Sequence, residues 1–327
     1  MLVSGLTPAH LARLEGQRVL VVGDAMLDRY WFGSVERISP EAPVPVVAVG
    51  ASEERLGGAA NVARNVVALG AKARLLAITG TDEAGQRLES LLTDTAIDAR
   101  LVRDPALPTT LKLRVLSRSQ QLIRLDFEAR PSAAALDGLR AEFQSALDWA
   151  QAVVLSDYGK GSLLHVAALI GEARARGLLV IVDPKGHDYA CYAGATLLTP
   201  NRSEFATVAG GPWSNEAELQ VRASSWLRRL DVGGLLITRS EEGMTLFRAD
   251  APALHDPARA REVYDVSGAG DTVVAAIALA LAAGLPDAAA VHLANLAAGI
   301  VVGKLGTATA TADEVAAVLE QEDGLCT

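Results

Sequence analysis

Short apolar runs alternate along this chain with longer stretches in which apolar positions recur every three or four residues. Arg18–Val22 is such a run and ends at Gly23-Asp24, the pattern of a buried strand opening into a loop. Ala59–Leu69 carries a helical period and stops at Gly70, a residue suited to a left-handed helix cap. The same alternation predicts a strand over Lys72–Thr79, a helix over Ala84–Leu92, a strand over Ala152–Ser156 and a helix over Leu163–Arg176. Further strands are predicted over Leu178–Val182, Thr196–Leu198 and Leu235–Thr238. Strands rich in Val, Ile and Leu, separated by helices, predict an α/β fold with a mostly parallel sheet covered on both faces.

One region departs from this rhythm. Pro43–Val49 and Thr109–Phe127 read as extended, with Leu111–Leu116 and Gln121–Phe127 flanking a polar turn at Ser117–Gln120. The pattern predicts a small β layer, from segments near 43–56 and 109–127, standing off a body that uses the whole of 1–327. Such a layer would cover a cleft or pair with another subunit.

Composition narrows the function. Of the 327 residues 50% are hydrophobic and 21% charged, a globular balance, and the longest apolar stretches are too short to cross a bilayer. Met1–Leu20 carries Arg13, Glu15 and Arg18, so no signal-peptide core is legible and a cytoplasmic address is expected. Cys191 and Cys326 are too few for a disulfide framework or a zinc site. His165, His187 and His292 have no mutual spacing that suggests metal ligation. A net charge of −9 argues against nucleic acid, and requires any anionic substrate to be held by a few well-placed cations.

Candidate chemistry begins in Asp265-Val-Ser-Gly268-Ala269-Gly270-Asp271-Thr272, which feeds the apolar run Val273–Ala283. Backbone amides of Gly268, Ala269 and Gly270 at a helix N-terminus make an anion site, and a carboxylate beside it suits a general base for an attacking hydroxyl. Taken alone, the loop reads equally well as a tight turn with Asp271 as a helix cap.

A second segment changes the balance. Leu56-Gly57-Gly58-Ala-Ala-Asn61-Val-Ala-Arg-Asn65, followed by Leu69-Gly70-Ala71, resembles the first signature of the ribokinase-like (PfkB) carbohydrate kinases, and Asp265–Thr272 resembles their second. Val266 and Val273 stand where the family commonly has Thr and Phe. The resemblance implies a three-layer ribokinase-like sandwich with a β lid, a homodimer through that lid, and ATP with Mg²⁺. It implies Asp271 as the base, with Asp28, Gly57, Gly58 and Asn61 around the sugar. Asn201 and Glu204, in Thr199-Pro-Asn201-Arg-Ser-Glu204, are implied to hold Mg²⁺ through water. Thr238, Ser240 and Gly243 match the nucleotide-side loop, and Asn295 the adenine pocket.

Within the family, Gly23–Tyr30, Arg37–Pro45, Gln121–Asp126, Ser156–Gly161 and Asp183–Gly186 are similar to the mannoheptose 7-phosphate kinases of lipopolysaccharide core biosynthesis. This implies phosphorylation of the anomeric hydroxyl of a phosphosugar to give the 1,7-bisphosphate. Asp157 is a candidate for a sugar hydroxyl, and Lys160, Lys185 and Arg124 for the distal phosphate, with Arg37 and Arg114 as further candidates. The His-x-Gly-His signature of an adenylyltransferase does not occur, so that step is expected on a separate protein. A ribokinase-like kinase for another sugar, and a non-catalytic sugar or nucleotide sensor, stand as the alternatives.

Overall fold

A computed structural model describes residues 5–118, 120–249, 251–259 and 263–325. Cys326 lies outside them. Among the described residues thirteen strands form two sheets. The body sheet uses β1 (Arg18–Gly23), β4 (Lys72–Thr79), β5 (Asp98–Arg103), β8 (Ala152–Ser156), β9 (Leu179–Asp183), β10 (Leu197–Leu198), β11 (Leu235–Thr238), β12 (Met244–Phe247) and β13 (Leu254–Asp256). Their order is β13-β12-β11-β10-β9-β8-β1-β4-β5, parallel except where β12 and β13 pair antiparallel at one edge. The second sheet, in the order β3-β2-β6-β7, is built from β2 (Ala25–Ile38), β3 (Pro45–Gly58), β6 (Leu111–Ser117) and β7 (Gln120–Phe127).

The helices are α1 (Pro8–Ala12), α2 (Ala59–Ala68), α3 (Glu83–Thr93), α4 (Ala133–Ala146), α5 (Val166–Arg174), α6 (Arg202–Val208), α7 (Glu216–Leu230), α8 (Ala269–Ala282), α9 (Asp287–Val302) and α10 (Ala312–Leu325). Alternation along each strand decides which layer it meets. Val19, Val21, Leu75 and Val154 pack with α2, α8 and α9, whereas Leu20, Val22, Leu76, Val153 and Leu155 pack with α4, α5 and α7. This is the three-layer arrangement that the apolar pattern predicts.

Two differences matter. The helix expected over Leu163–Arg176 starts at Val166, after a turn that carries the loop off the end of β8. More consequentially, the chain does not stay in a loop after Gly23-Asp24. It runs on as the long strand β2, which pairs antiparallel with β3 and parallel with β6. The off-body layer therefore has four strands and includes 25–38, and Asp28 lies on a strand.

Candidate active site

Strand order places the site. From β1 the chain steps one way to β4 and β5, then returns to the other flank of β1 with β8 and continues through β9, β10 and β11. The two directions part between β1 and β8, and ligands of open α/β sheets bind outside the carboxyl ends of strands at such a point. Asp24 follows β1 and is buried there. Its Oδ2 accepts from the amides of Tyr158 and Lys160, both at 2.9 Å, and its Oδ1 from Ser162 at 3.0 Å. Asp24 thereby folds the loop after β8 over the switch point.

Asp271, in the first turn of α8, points into the same place and is 2% exposed. Its Oδ2 accepts from Asn61 Nδ2 at 2.8 Å and its Oδ1 from the Tyr158 hydroxyl at 2.7 Å. Burial pushes the carboxyl up to about 6; the two donors and the Lys112 ammonium pull it down, and Asp28 pushes it further up. A carboxyl poised there is ionised at neutral pH yet basic enough to take a proton. One turn along α2 from Asn61, Asn65 Oδ1 accepts from Thr272 Oγ1 at 3.0 Å, so the Asn-x-x-x-Asn spacing stitches α2 to α8 beside Asp271.

At the start of α8, Gly268 takes φ +80°, and a Cβ there would press on Asn61 Nδ2 at 2.7 Å. Among the described residues the amides of Gly268, Gly270 and Asp271 have no acceptor, which leaves them for an anion at the positive end of the helix. Ala269 differs from the sequence expectation: its amide donates to Val266 O at 3.2 Å, because residues 266–269 close a turn before the helix begins.

On the lid side, Asp28 is 4% exposed and pairs with Arg114 Nη1 at 2.5 Å. Gly57 and Gly58 are there for space, since a Cβ on Gly57 would collide with Asp28 Oδ2 and one on Gly58 with Asp24 O. Asn61 is fully buried and its amide nitrogen donates to Asp271, so it holds the Asp271 carboxylate in place. Asp157 is likewise committed: its Oδ2 accepts from Tyr192 OH at 2.7 Å and its Oδ1 from Gly159 N at 2.7 Å, while burial pushes its carboxyl up. Lys160 pairs with Glu128. Arg124 pairs with Asp126 at 2.9 Å on β7, whose residues are all exposed.

Next to the start of α8 lies a small cavity of about 200 Å³ lined by Asp157, Asp183, Lys185, Asn201, Glu204 and Gly270, among others. Asn201 and Glu204 form a reciprocal cap on α6, with Glu204 N to Asn201 Oδ1 at 2.9 Å and Asn201 N to Glu204 Oε2 at 3.0 Å. Lys185 Nζ meets the other oxygen of Glu204 at 2.7 Å. Burial and the nearby Asp271 and Glu204 carboxylates push the Asp183 carboxyl well above its ordinary range. The pocket thus concentrates carboxylate oxygens against a single lysine. Among the described residues no cluster of three His, Cys, Asp or Glu side chains is set to hold a metal by itself.

Sharing Asn201, Thr238 and Gly270 with this small cavity is one of about 550 Å³ between the β11–β12 turn and helices α8 and α9, lined also by Ser240, Gly243, Val266 and Asn295, among others. Gly243 has φ +90°, and a Cβ there would collide with Asp256 O. Asn295 spends its amide nitrogen on Asp256 Oδ2 at 2.8 Å and Pro257 O at 2.7 Å, fixing the cavity wall. Buried His292 braces the same wall from behind, between Asp256 and Glu322. Of the residues around Asp271, sequence reasoning did not single out Tyr158 or Lys112, and it placed Asp24 only where the first strand opens into a loop. The Ser156–Gly161 segment was already singled out and held the signal for Tyr158.

Comparison with known proteins accords with this geometry. Among solved structures, phosphofructokinase-2 from Escherichia coli in complex with potassium superposes with a TM-score of 0.77 at 19% identity, covering 93% of this chain and 97% of that one. Arabidopsis thaliana ribokinase complexed with ribose and ATP gives 0.73 at 20%, covering 93% and 99%. At such identities the likeness establishes the ribokinase-like fold. Curated relatives are much nearer. The bifunctional protein HldE of Pseudomonas aeruginosa (strain PAO1) is 55% identical over 316 residues, and that of Pseudomonas fluorescens (strain Pf-5) 54% over 314. Each match takes in 96% of this chain but only 66% and 65% of the relative, so the chain spans about two thirds of their length. The family model for pfkB carbohydrate kinases matches residues 17–314, and with both glycine-rich segments and the buried Asp271 inside that span, the chain belongs to the pfkB family of carbohydrate kinases.

Proposed function

We propose that this chain transfers the γ-phosphoryl group of ATP to the anomeric hydroxyl of D-glycero-β-D-manno-heptose 7-phosphate, giving the 1,7-bisphosphate, in the cytoplasm. The observation that carries the reading is Asp271, a buried carboxyl pushed up to about 6 at the start of α8, next in the chain to Gly270, which lines both cavities. The heptose assignment rests on the five segments similar to mannoheptose 7-phosphate kinases.

The sugar hydroxyl gives its proton to a carboxylate oxygen of Asp271 as it attacks, while Asn61 and Tyr158 hold that carboxylate in place. The free amides of Gly268, Gly270 and Asp271 face the charge of the moving phosphoryl group. Asp28 grips sugar hydroxyls from the lid. Thr238, Ser240, Gly243 and Asn295 border the nucleotide.

Mg²⁺ fits the oxygen-rich small cavity, where among the described residues Asp183 has no ion-pair partner and Asn201 and Glu204 would hold the ion through water. When bound, the ion supplies neutralising charge to the phosphates. The lid also supports a homodimer, since Val49, Ile123, Leu125 and Phe127 expose apolar side chains there. The double variant Ile123→Asp, Leu125→Asp is expected to halve the mass seen by light scattering; an unchanged mass refutes a lid-mediated dimer.

The function is tested by ADP release with Mg·ATP across a panel of sugars and sugar phosphates. Selective turnover of the heptose 7-phosphate is expected. Turnover of another sugar instead keeps the kinase and discards the heptose, and silence across the panel favours a sensor.

A further inference from the structure

The lid's inner face carries several cations, and nearly all are already matched. Arg114 is paired with Asp28, Arg124 with Asp126, and Lys160, in the loop beneath, with Glu128. Lys112 is different. Its ammonium lies 5.4 Å from the centre of the Tyr158 ring, and among the described residues no carboxylate comes within ion-pair distance of it. The parallel register sets Lys112 directly opposite Asp28, so both side chains leave the same face of the lid sheet. Tyr158, beneath Lys112, gives its hydroxyl to Asp271.

A half-buried ammonium with no counter-ion is unfavourable unless a ligand brings one. Burial lowers the pKa of Lys112, the Asp28 and Asp126 carboxylates raise it, and the nearby Lys160 and Arg114 cations lower it again. Arg114, Arg124 and Lys160 are each engaged by a carboxylate, whereas the Lys112 ammonium is in ion-pair contact with none among the described residues. In a chain whose net charge is −9, that leaves its N–H donors for an arriving anion.

We infer that Lys112, with Lys160 beside it, receives the non-transferred phosphate of a phosphorylated sugar and selects sugar phosphates over free sugars. The inference rests on the kinase reading above and adds the residue that decides its substrate class. An arriving phosphate forms charge-assisted hydrogen bonds with Lys112 and competes with Glu128 for Lys160. It also brings the far end of the sugar against the lid while the reacting hydroxyl lies at Asp271.

The test compares wild type with Lys112→Met, Lys112→Arg and Lys160→Met, using mannoheptose 7-phosphate and mannoheptose as the two probes. Preference is read as the ratio of kcat/KM values from ADP release, and as the ratio of Kd values from calorimetry on nucleotide-free protein. Lys112→Met is expected to lower the preference for the phosphorylated sugar by roughly 10- to 100-fold, Lys160→Met by less, and Lys112→Arg to retain most of it. A Lys112→Met loss that is equal for both sugars places Lys112 at the transferred phosphoryl group or in the fold, and overturns the inference while leaving the kinase intact. Wild-type protein that neither binds nor turns over the phosphorylated sugar overturns the substrate reading, and the inference with it.

Discussion

In the body sheet, β8 is buried at every position and β1 at all but its first, whereas β7 of the lid sheet is exposed throughout. The body is filled mainly by Ala, Val and Leu, with most of the alanines in the helices packed on the sheet. The lid strands instead alternate chemistry. One face of β2 and β6 presents Asp28, Tyr30, Lys112 and Arg114, and the other presents Leu27, Leu111, Leu113 and Val115 to the interior. The carboxylate proposed as base belongs to the body and the groups proposed to read the sugar belong to the lid. Turnover and substrate choice should therefore respond to different mutations.

The sharpest break between the two regions is expected from Asp271→Asn. It removes proton acceptance while keeping the side chain's shape, so kcat should fall about 10³-fold with ATP and sugar binding retained. Single-turnover kinetics alongside nucleotide titration check this, and near-normal turnover would reassign the base. On the lid, Asp28→Ala should raise the sugar KM by roughly 10- to 100-fold and leave the ATP KM nearly unchanged, since it removes a sugar acceptor and strands Arg114. Equal changes in both constants would take Asp28 out of the sugar site.

Packing gives a smaller contrast. Ala276→Leu, in the fully buried middle of α8, should cost about 1–3 kcal/mol by overfilling, read from the denaturant midpoint. Gln121→Leu on exposed β7 should stay within about 0.5 kcal/mol. The smallest effect is a shift in pH dependence. With Asp271 at about 6, kcat/KM should fall as pH drops through that value and the base becomes protonated. The Tyr158 hydroxyl favours the ionised form, so Tyr158→Phe should move this acid limb upward, by about one unit or less, with little loss at pH 8. A limb that stays in place would mean that Tyr158 does not act on the base.

The same contrast explains what was legible from sequence. Body strands announce themselves because both faces are buried, so Arg18–Val22, Lys72–Thr79 and Ala152–Ser156 fall where the apolar runs put them. Strand β2 was missed because Gly23-Asp24 is a turn signal, and its polar positions look solvated until the opposite strand is known. Asp271, Gly268 and Gly270 were legible as a local motif at a helix start. The bonds from Tyr158 and Asn61 to Asp271 join residues far apart in sequence, and that of Asn61 appears only once α2 is seen lying against α8. Lys112 gave no signal because a lysine in an alternating strand ordinarily reaches water.

One feature of the lid bears on how the molecule comes to exist. Its central pair, β2 with β6, joins Leu27 to Leu111 in parallel, so two hairpins separated by α2, β4, α3 and β5 must meet before the inner face is complete. Pairings that distant carry a loop-closure cost that local contacts have to offset first, which delays them during folding. A refolding chain should accordingly regain its nucleotide cavity, made wholly by the body, before it can discriminate among sugars. For a time it would be a nucleotide-binding protein with no acceptor to serve.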